Sequence, residues 1–246
     1  MSSCLSEQTR LLAKLNKWKK MACDLLLENR LFKGENDLRI QGLSITAIDN
    51  GEGYARSSTI TDFYKKNSHC YVLKLIDNSI ITMYYLTDKN GKPTRFSYTF
   101  CSCPFLIDLL IEEEDNLPNN TLIDVDDSLK ESLSNEELKE LYLNEDLRNY
   151  FKNSCELEEK MVSTLIDLSK NPVYIRCDYD SENISKNHPE YHLTLNFISE
   201  SRFHIDSSFS FLDFIVFIMD IVYGIKQEKP YQFVHLSKLK KNARIL

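Results

Sequence analysis

Apolar residues along this chain follow two periods, and each change of period marks a change of element. From Ser6, a helix-capping residue, Leu11, Leu15, Trp18, Ala22 and Leu25 recur every three or four positions, with Gly34 beyond them. That spacing predicts one long amphipathic helix with an apolar stripe against a core, closed by the glycine. Period two follows: Leu38 and Ile40, then Leu43 and Ile45, bracket Gly42, which predicts a strand with a bulge. Residues 70–76 and 79–86 are β-branched and aromatic runs, and the Asp77-Asn78 between them tolerates the left-handed backbone of a tight hairpin. Asn90-Gly91 marks a further reversal. Residues 94–101 then alternate cleanly as the next antiparallel strand, which Pro104 stops.

A short helix over 105–113 is expected to lead into an acidic stretch. A longer helix over 134–169, continuous or broken near Asn153, cannot pass Asn171-Pro172. Two more strands read at 173–179 and 191–197. Ser210 with Asp213 has the spacing of a capping box, opening a helix to Tyr223 that Gly224 closes. Only Asp213 and Asp220 interrupt its apolar surface, so it should be the most buried element. The pattern describes a single α+β domain over 1–246: a mainly antiparallel sheet, a long N-terminal helix, an acidic helical segment at about 112–170 and a buried C-terminal helix.

Composition narrows the function classes. The 246 residues are 42% hydrophobic and 27% charged, the balance of a globular protein, and six Gly and six Pro leave the loops to Asn, Asp, Ser and Lys. Seven scattered cysteines in mostly apolar contexts read as reduced thiols, and Cys101-Ser-Cys103 is too close-spaced for a zinc knuckle, so neither metal nor cofactor is expected. The N-terminus shows no export leader and no apolar run is long enough to span a bilayer, which points to the cytoplasm and to no membrane partner. The net charge of −7 is uneven: residues 112–146 hold thirteen acids against two bases. That stretch reads as a solvated excursion or as a docking surface for a basic protein partner, and it lacks the Lys and Arg that phosphates require. Bases gather instead at Arg10, Lys14, Lys17, Lys19 and Lys20 and at Lys238, Lys240, Lys241 and Arg244. Without interleaved aromatics they read as solvated faces before they read as a nucleic-acid surface.

Candidate chemistry concentrates late in the chain. Side chains alternate along strands, so Arg176 and Asp178 share one face, and His192, Thr194 and Asn196 share a face of the next strand. A pairing that matches the apolar faces can set Asp178 opposite His192 and Arg176 opposite Thr194, with Arg202 and His188 near the rim. This stretch, Arg176-x-Asp178-Tyr179, His188-Pro189, His192-Leu193, Arg202 and the following Phe211-Leu-Asp-Phe-Ile215, resembles domain-of-unknown-function family 2290, a bacterial family, best over residues 171–225. The resemblance implies a bacterial origin and an intact hairpin, and names no reaction. The family pattern favours His-Leu-His and Arg-x-Pro, where this chain has Thr194 and His204.

Three readings stand for the polar face. In one it is structural, an aspartate orienting a histidine and an arginine by charge-assisted hydrogen bonds. In another it is catalytic, a phosphate-ester hydrolase or nuclease with Asp178 orienting His192 as base and Arg176 or Arg202 stabilising an anion. In the third it recognises an anionic ligand through Arg176, Arg202 and His192, with His188 and Asn196 contributing and no turnover. The chain lacks Gly-x-x-x-x-Gly-Lys, Gly-x-Gly-x-x-Gly, His-Glu-x-x-His and Gly-x-Ser-x-Gly. The expectation is therefore a non-enzymatic interaction or accessory subunit of a bacterial multi-protein system, phage defence being one setting.

Overall fold

The architecture comes from a computed structural model that describes residues 2–47, 59–104, 148–149, 151–152, 155, 157–182, 184, 189–195, 202–205, 207 and 209–226. In chain order the elements are α1 (Ser2–Glu28), β1 (Phe32–Glu35), β2 (Arg39–Gln41), β3 (Ser44–Thr46), α2 (Ile60–Asn67), β4 (Leu73–Leu75), β5 (Ile80–Thr87) and β6 (Pro93–Cys101). They continue with α3 (Glu159–Lys170), β7 (Tyr174–Asp180), β8 (Tyr191–Leu195), β9 (Arg202–His204) and α4 (Phe211–Ile221). The fold is α+β.

Residues Met1–Ser102 and Pro172–Leu246 form one compact unit and Cys103–Asn171 a second. In the second unit α3 buries Val162, Leu165, Ile166 and Leu168. It stops at Asn171, whose N–H donates to Asp167 O, because Pro172 supplies no N–H to continue the ladder. Arg148 and Lys152 both pair with Glu159 in its first turn. The short helix expected over 105–113 and the acidic stretch over 112–146 lie outside the described residues.

The first unit holds the sheet. Its order is β1-β4-β5-β6-β7-β8-β9, and every pairing is antiparallel. β6 takes one edge of β5 along its length, while β4 and β3 share the other edge, and β2 pairs outside β3. Loop chemistry sets these registers. At Asn78 (φ +59°) and Gly91 (φ +85°) the left-handed residue closes a short hairpin turn, as Asp77-Asn78 and Asn90-Gly91 predict.

Two readings of the N-terminal third are corrected. The first helix ends at Glu28, not at Gly34, which lies inside β1. Arg30 adopts φ +57°, its N–H bonds Leu27 O, and Leu31 N–H reaches back to Leu26 O. This is a glycine-type helix stop built without glycine: the left-handed arginine costs about 1 kcal/mol, and complete burial of Leu31 offsets it. The expected bulged strand around Gly42 is a hairpin, β2 to β3, with Gln41 opposite Ser44 and Gly42 at φ +60°. The pattern also passed over α2, whose N-cap Thr59 accepts from Asp62 N–H.

The sheet has one apolar and one polar face. On the apolar side Tyr98 meets Phe211 and Phe214 at ring-centre distances of 5.4 and 5.9 Å, and Phe100 meets Tyr223 at 6.1 Å. The capping box opens α4 as expected, with Ser210 Oγ accepting from Asp213 N–H and the Asp213 carboxylate accepting from Ser210 N–H. Residues 211, 212 and 214–219 of α4 are buried; Ile221 at its end is not. On the opposite side α2 packs Phe63 edge-on against Tyr174.

Candidate functional site: a buried polar face on the central strands

Three of the residues singled out in the sequence meet on the α2 side of the sheet. Asp178 stands opposite His192 and Arg176 opposite Thr194, a register that matches the apolar faces. Arg176 Nε donates to Asp178 Oδ2 at 2.6 Å, and His192 Nε2 lies 3.3 Å from the same oxygen. The other imidazole nitrogen, Nδ1, lies 3.0 Å from Pro189 O. Both ring nitrogens thus lie near oxygen atoms, Nδ1 near a backbone carbonyl and Nε2 near the carboxylate that Arg176 holds. Burial works to raise the Asp178 carboxyl, but the contact with His192 and the Arg176 charge outweigh it and hold the group below its usual range, with a smaller contribution from Ser97 across the strand pair.

Neighbouring strands extend the face. Thr99 pairs with Arg176 and Ser97 with Asp178 on β6, so a row Thr99, Arg176, Thr194 lies beside a row Ser97, Asp178, His192. The hydroxyls of Thr99 and Thr194 are buried without a hydrogen-bond partner, the kind of unmet demand that an ordered water or a ligand oxygen answers. The polar half of the alternation in 94–101 was visible in the sequence, but only the register with β7 shows that it joins this face. Backbone pairing places Arg202 of β9 opposite Thr194, in the same row. His188 and Asn196 lie outside the described residues.

Sequence reasoning missed a second buried carboxylate, at the β4–β5 turn. Asp77 Oδ1 accepts from Ser79 N–H at 3.0 Å, and Oδ2 accepts from Ser79 Oγ at 2.8 Å and from Tyr223 OH at 3.0 Å. Tyr64 OH donates to Asn78 O at 2.7 Å and Lys33 Nζ to Asn78 Oδ1 at 2.8 Å, so the turn ties α2, β1 and the end of α4 together. Burial raises the Asp77 carboxyl, and its neutral donors only partly oppose the shift. The sequence signal was an Asp-Asn-Ser turn between two strongly apolar strands, which was read for its backbone conformation alone.

Cys23 and Cys177 are poor nucleophiles. Burial, then Glu35, pushes Cys23 up to about 12, and burial pushes Cys177 well above its ordinary value. Lys19, read as part of a solvated basic cluster, is buried instead and reaches Glu35 at 2.9 Å, Asp37 at 3.5 Å and Asn36 O at 3.1 Å. Among the described residues no group of three or more His, Cys, Asp or Glu is placed to hold a metal, and no helix is long and apolar enough to cross a membrane.

These features define an α+β protein in which a nine-stranded antiparallel sheet carries a partly buried Arg-Asp-His network on one face and an aromatic layer on the other. The chain belongs to the family described as Uncharacterized conserved protein (DUF2290), whose model matches residues 31–245, well beyond the C-terminal stretch that carries the resemblance in the sequence. No curated protein and no solved structure matches it.

Proposed function

We propose that this chain is a non-enzymatic binding module, an accessory subunit of a bacterial multi-protein system rather than a hydrolase. The observation that supports this reading most is the shared Asp178 oxygen, held at 2.6 Å by Arg176 and 3.3 Å by His192. General-base catalysis needs an imidazole with a lone pair aimed at substrate. Here one nitrogen faces a carbonyl and the other a carboxylate that arginine already holds, and the ring is 1% exposed. Such a network orients strands and can present Arg176 to an anion, but it holds its proton-transfer groups against one another.

The test pairs an activity screen with a stability measurement. The intact chain is incubated with a chromogenic phosphodiester and with single- and double-stranded DNA, with and without divalent cations, and His192→Ala is melted beside it. No turnover and a lowered melting temperature are expected. Turnover that His192→Ala abolishes at an unchanged melting temperature would establish the phosphate-ester hydrolase instead.

A further inference from the structure

The apolar side of the sheet is not wholly covered. Between α1 and strands β5 to β8 lies an open cleft of about 390 Å³, in the size range of small-molecule sites, and it falls entirely within the first unit. Its floor is a continuous row of rings. Phe96 stacks on Tyr179 at 5.2 Å and 29°, and Tyr179 leans on Tyr191 at 4.6 Å and 34°. Trp18 forms the α1 wall, and Lys14 Nζ sits 4.6 Å above its ring. Lys92 stands at the rim.

Two properties set this cleft apart from ordinary core. Tyr179, Tyr191 and Trp18 keep part of their surface in solvent, although an aromatic side chain gains from complete burial. The two ammonium groups beside them are exposed, and among the described residues neither lies within salt-bridge distance of a carboxylate. Lys92 does exert its charge on Asp88, whose Oδ1 is already taken by the N–H groups of Asn90 and Lys92. A row of stacked rings with adjacent cations matches a planar ring that carries a phosphate: the planar ring packs between the row and Trp18, and the phosphate meets the lysines.

We propose that the cleft between Trp18 and the Phe96, Tyr179, Tyr191 row binds a mononucleotide, its base among the aromatic rings and its phosphate against Lys14 and Lys92. A single nucleotide fits the charge pattern better than a strand does. A polymer needs a basic track along several phosphates, whereas this cleft supplies two lysines on a chain of net charge −7. The proposal rests on the non-enzymatic reading above, since it takes the nucleotide as bound and not consumed.

Trp18 is the chain's only tryptophan, so its emission reports on this cleft alone. The full chain is titrated with the four ribonucleoside 5′-monophosphates, with adenosine and with inorganic phosphate. Saturable quenching by at least one monophosphate is expected, weaker quenching by adenosine and none by phosphate. Charge reversal at the two exposed lysines, Lys14→Glu with Lys92→Glu, should weaken monophosphate binding by about tenfold and leave adenosine binding unchanged. Tyr191→Leu should weaken both ligands, with near-native circular dichroism confirming its fold. Absence of saturable quenching up to millimolar concentrations overturns the proposal, as does an equal response to phosphate alone or an affinity for oligonucleotides that rises with their length. Chromatography of the titrated nucleotide separates the two readings. A ligand that binds and is consumed removes the non-enzymatic function and keeps the site; no binding and no hydrolysis removes the site and keeps the function.

Discussion

Asp178→Ala is expected to cost roughly 3 kcal/mol, because it leaves Arg176 and the imidazole of His192 on a largely buried face without the carboxylate they share. The carboxylate is 15% exposed and its partners Arg176 and His192 are 23% and 1% exposed, so water can relieve Arg176 in part and His192 hardly at all. For a chain of this length that corresponds to a fall in melting temperature of roughly 6–12 °C. Asp178→Asn keeps an acceptor for Arg176 Nε and should lose less. The pH dependence follows from the downward shift of the carboxyl. A group with a folded pKa below its unfolded value near 3.8 stabilises the fold above that value, and the contribution disappears as pH falls through the folded pKa. The acid limb of the native stability profile should therefore flatten in Asp178→Ala. An alanine variant that melts with the native chain would show that the network carries no stability and would reopen the catalytic reading.

Asp77→Ala should be as damaging for a different reason, on the order of 4 kcal/mol, since it strands the Ser79 N–H, the Ser79 hydroxyl and the Tyr223 hydroxyl in a dry interior. Asp77→Asn should be tolerated. Its carbonyl oxygen can take the Ser79 N–H, and its amide can donate to the two hydroxyl oxygens, which accept as readily as they donate. Here the titration has the opposite sign. Burial raises this carboxyl, so its stabilising contribution is complete below the unfolded value near 3.8 and is lost as pH rises through the folded pKa. Urea unfolding across a pH series should show that downward step in the native chain and not in Asp77→Asn. The same slope in both would mean that the aspartate is not the group responsible.

The two aspartates show where reading along the chain stops. Asp178 was legible because its strand alternates: once Ile175, Cys177 and Tyr179 are assigned to the core, Arg176 and Asp178 must share the other face, and the observed register is one of those that match apolar faces across the hairpin. Asp77 was not legible as a buried group. An Asp-Asn-Ser turn has the same local chemistry on a surface or in an interior, and the residues that bury it are Tyr64 from the preceding helix and Tyr223, which arrives from 146 residues away. Arg30 is a related case. Glycine is the usual left-handed residue, so Gly34 drew the reading, while the actual helix stop depends on a pocket for Leu31 that the fold creates.

By itself the sequence determined the hairpin turns at Asn78 and Gly91, the capped C-terminal helix and the sidedness of the Arg-Asp-His strands, because period, turn residues and capping pairs act over a few positions. Tertiary structure alone decided that Ser97 and Thr99 complete the polar face, that Lys19 is a buried tie, and that Trp18 of the first helix faces tyrosines from strands more than 150 residues later. Such meetings depend on which strands neighbour one another and on how helices lie across the sheet. Those choices minimise exposed apolar area over the whole chain, and no local spacing encodes them.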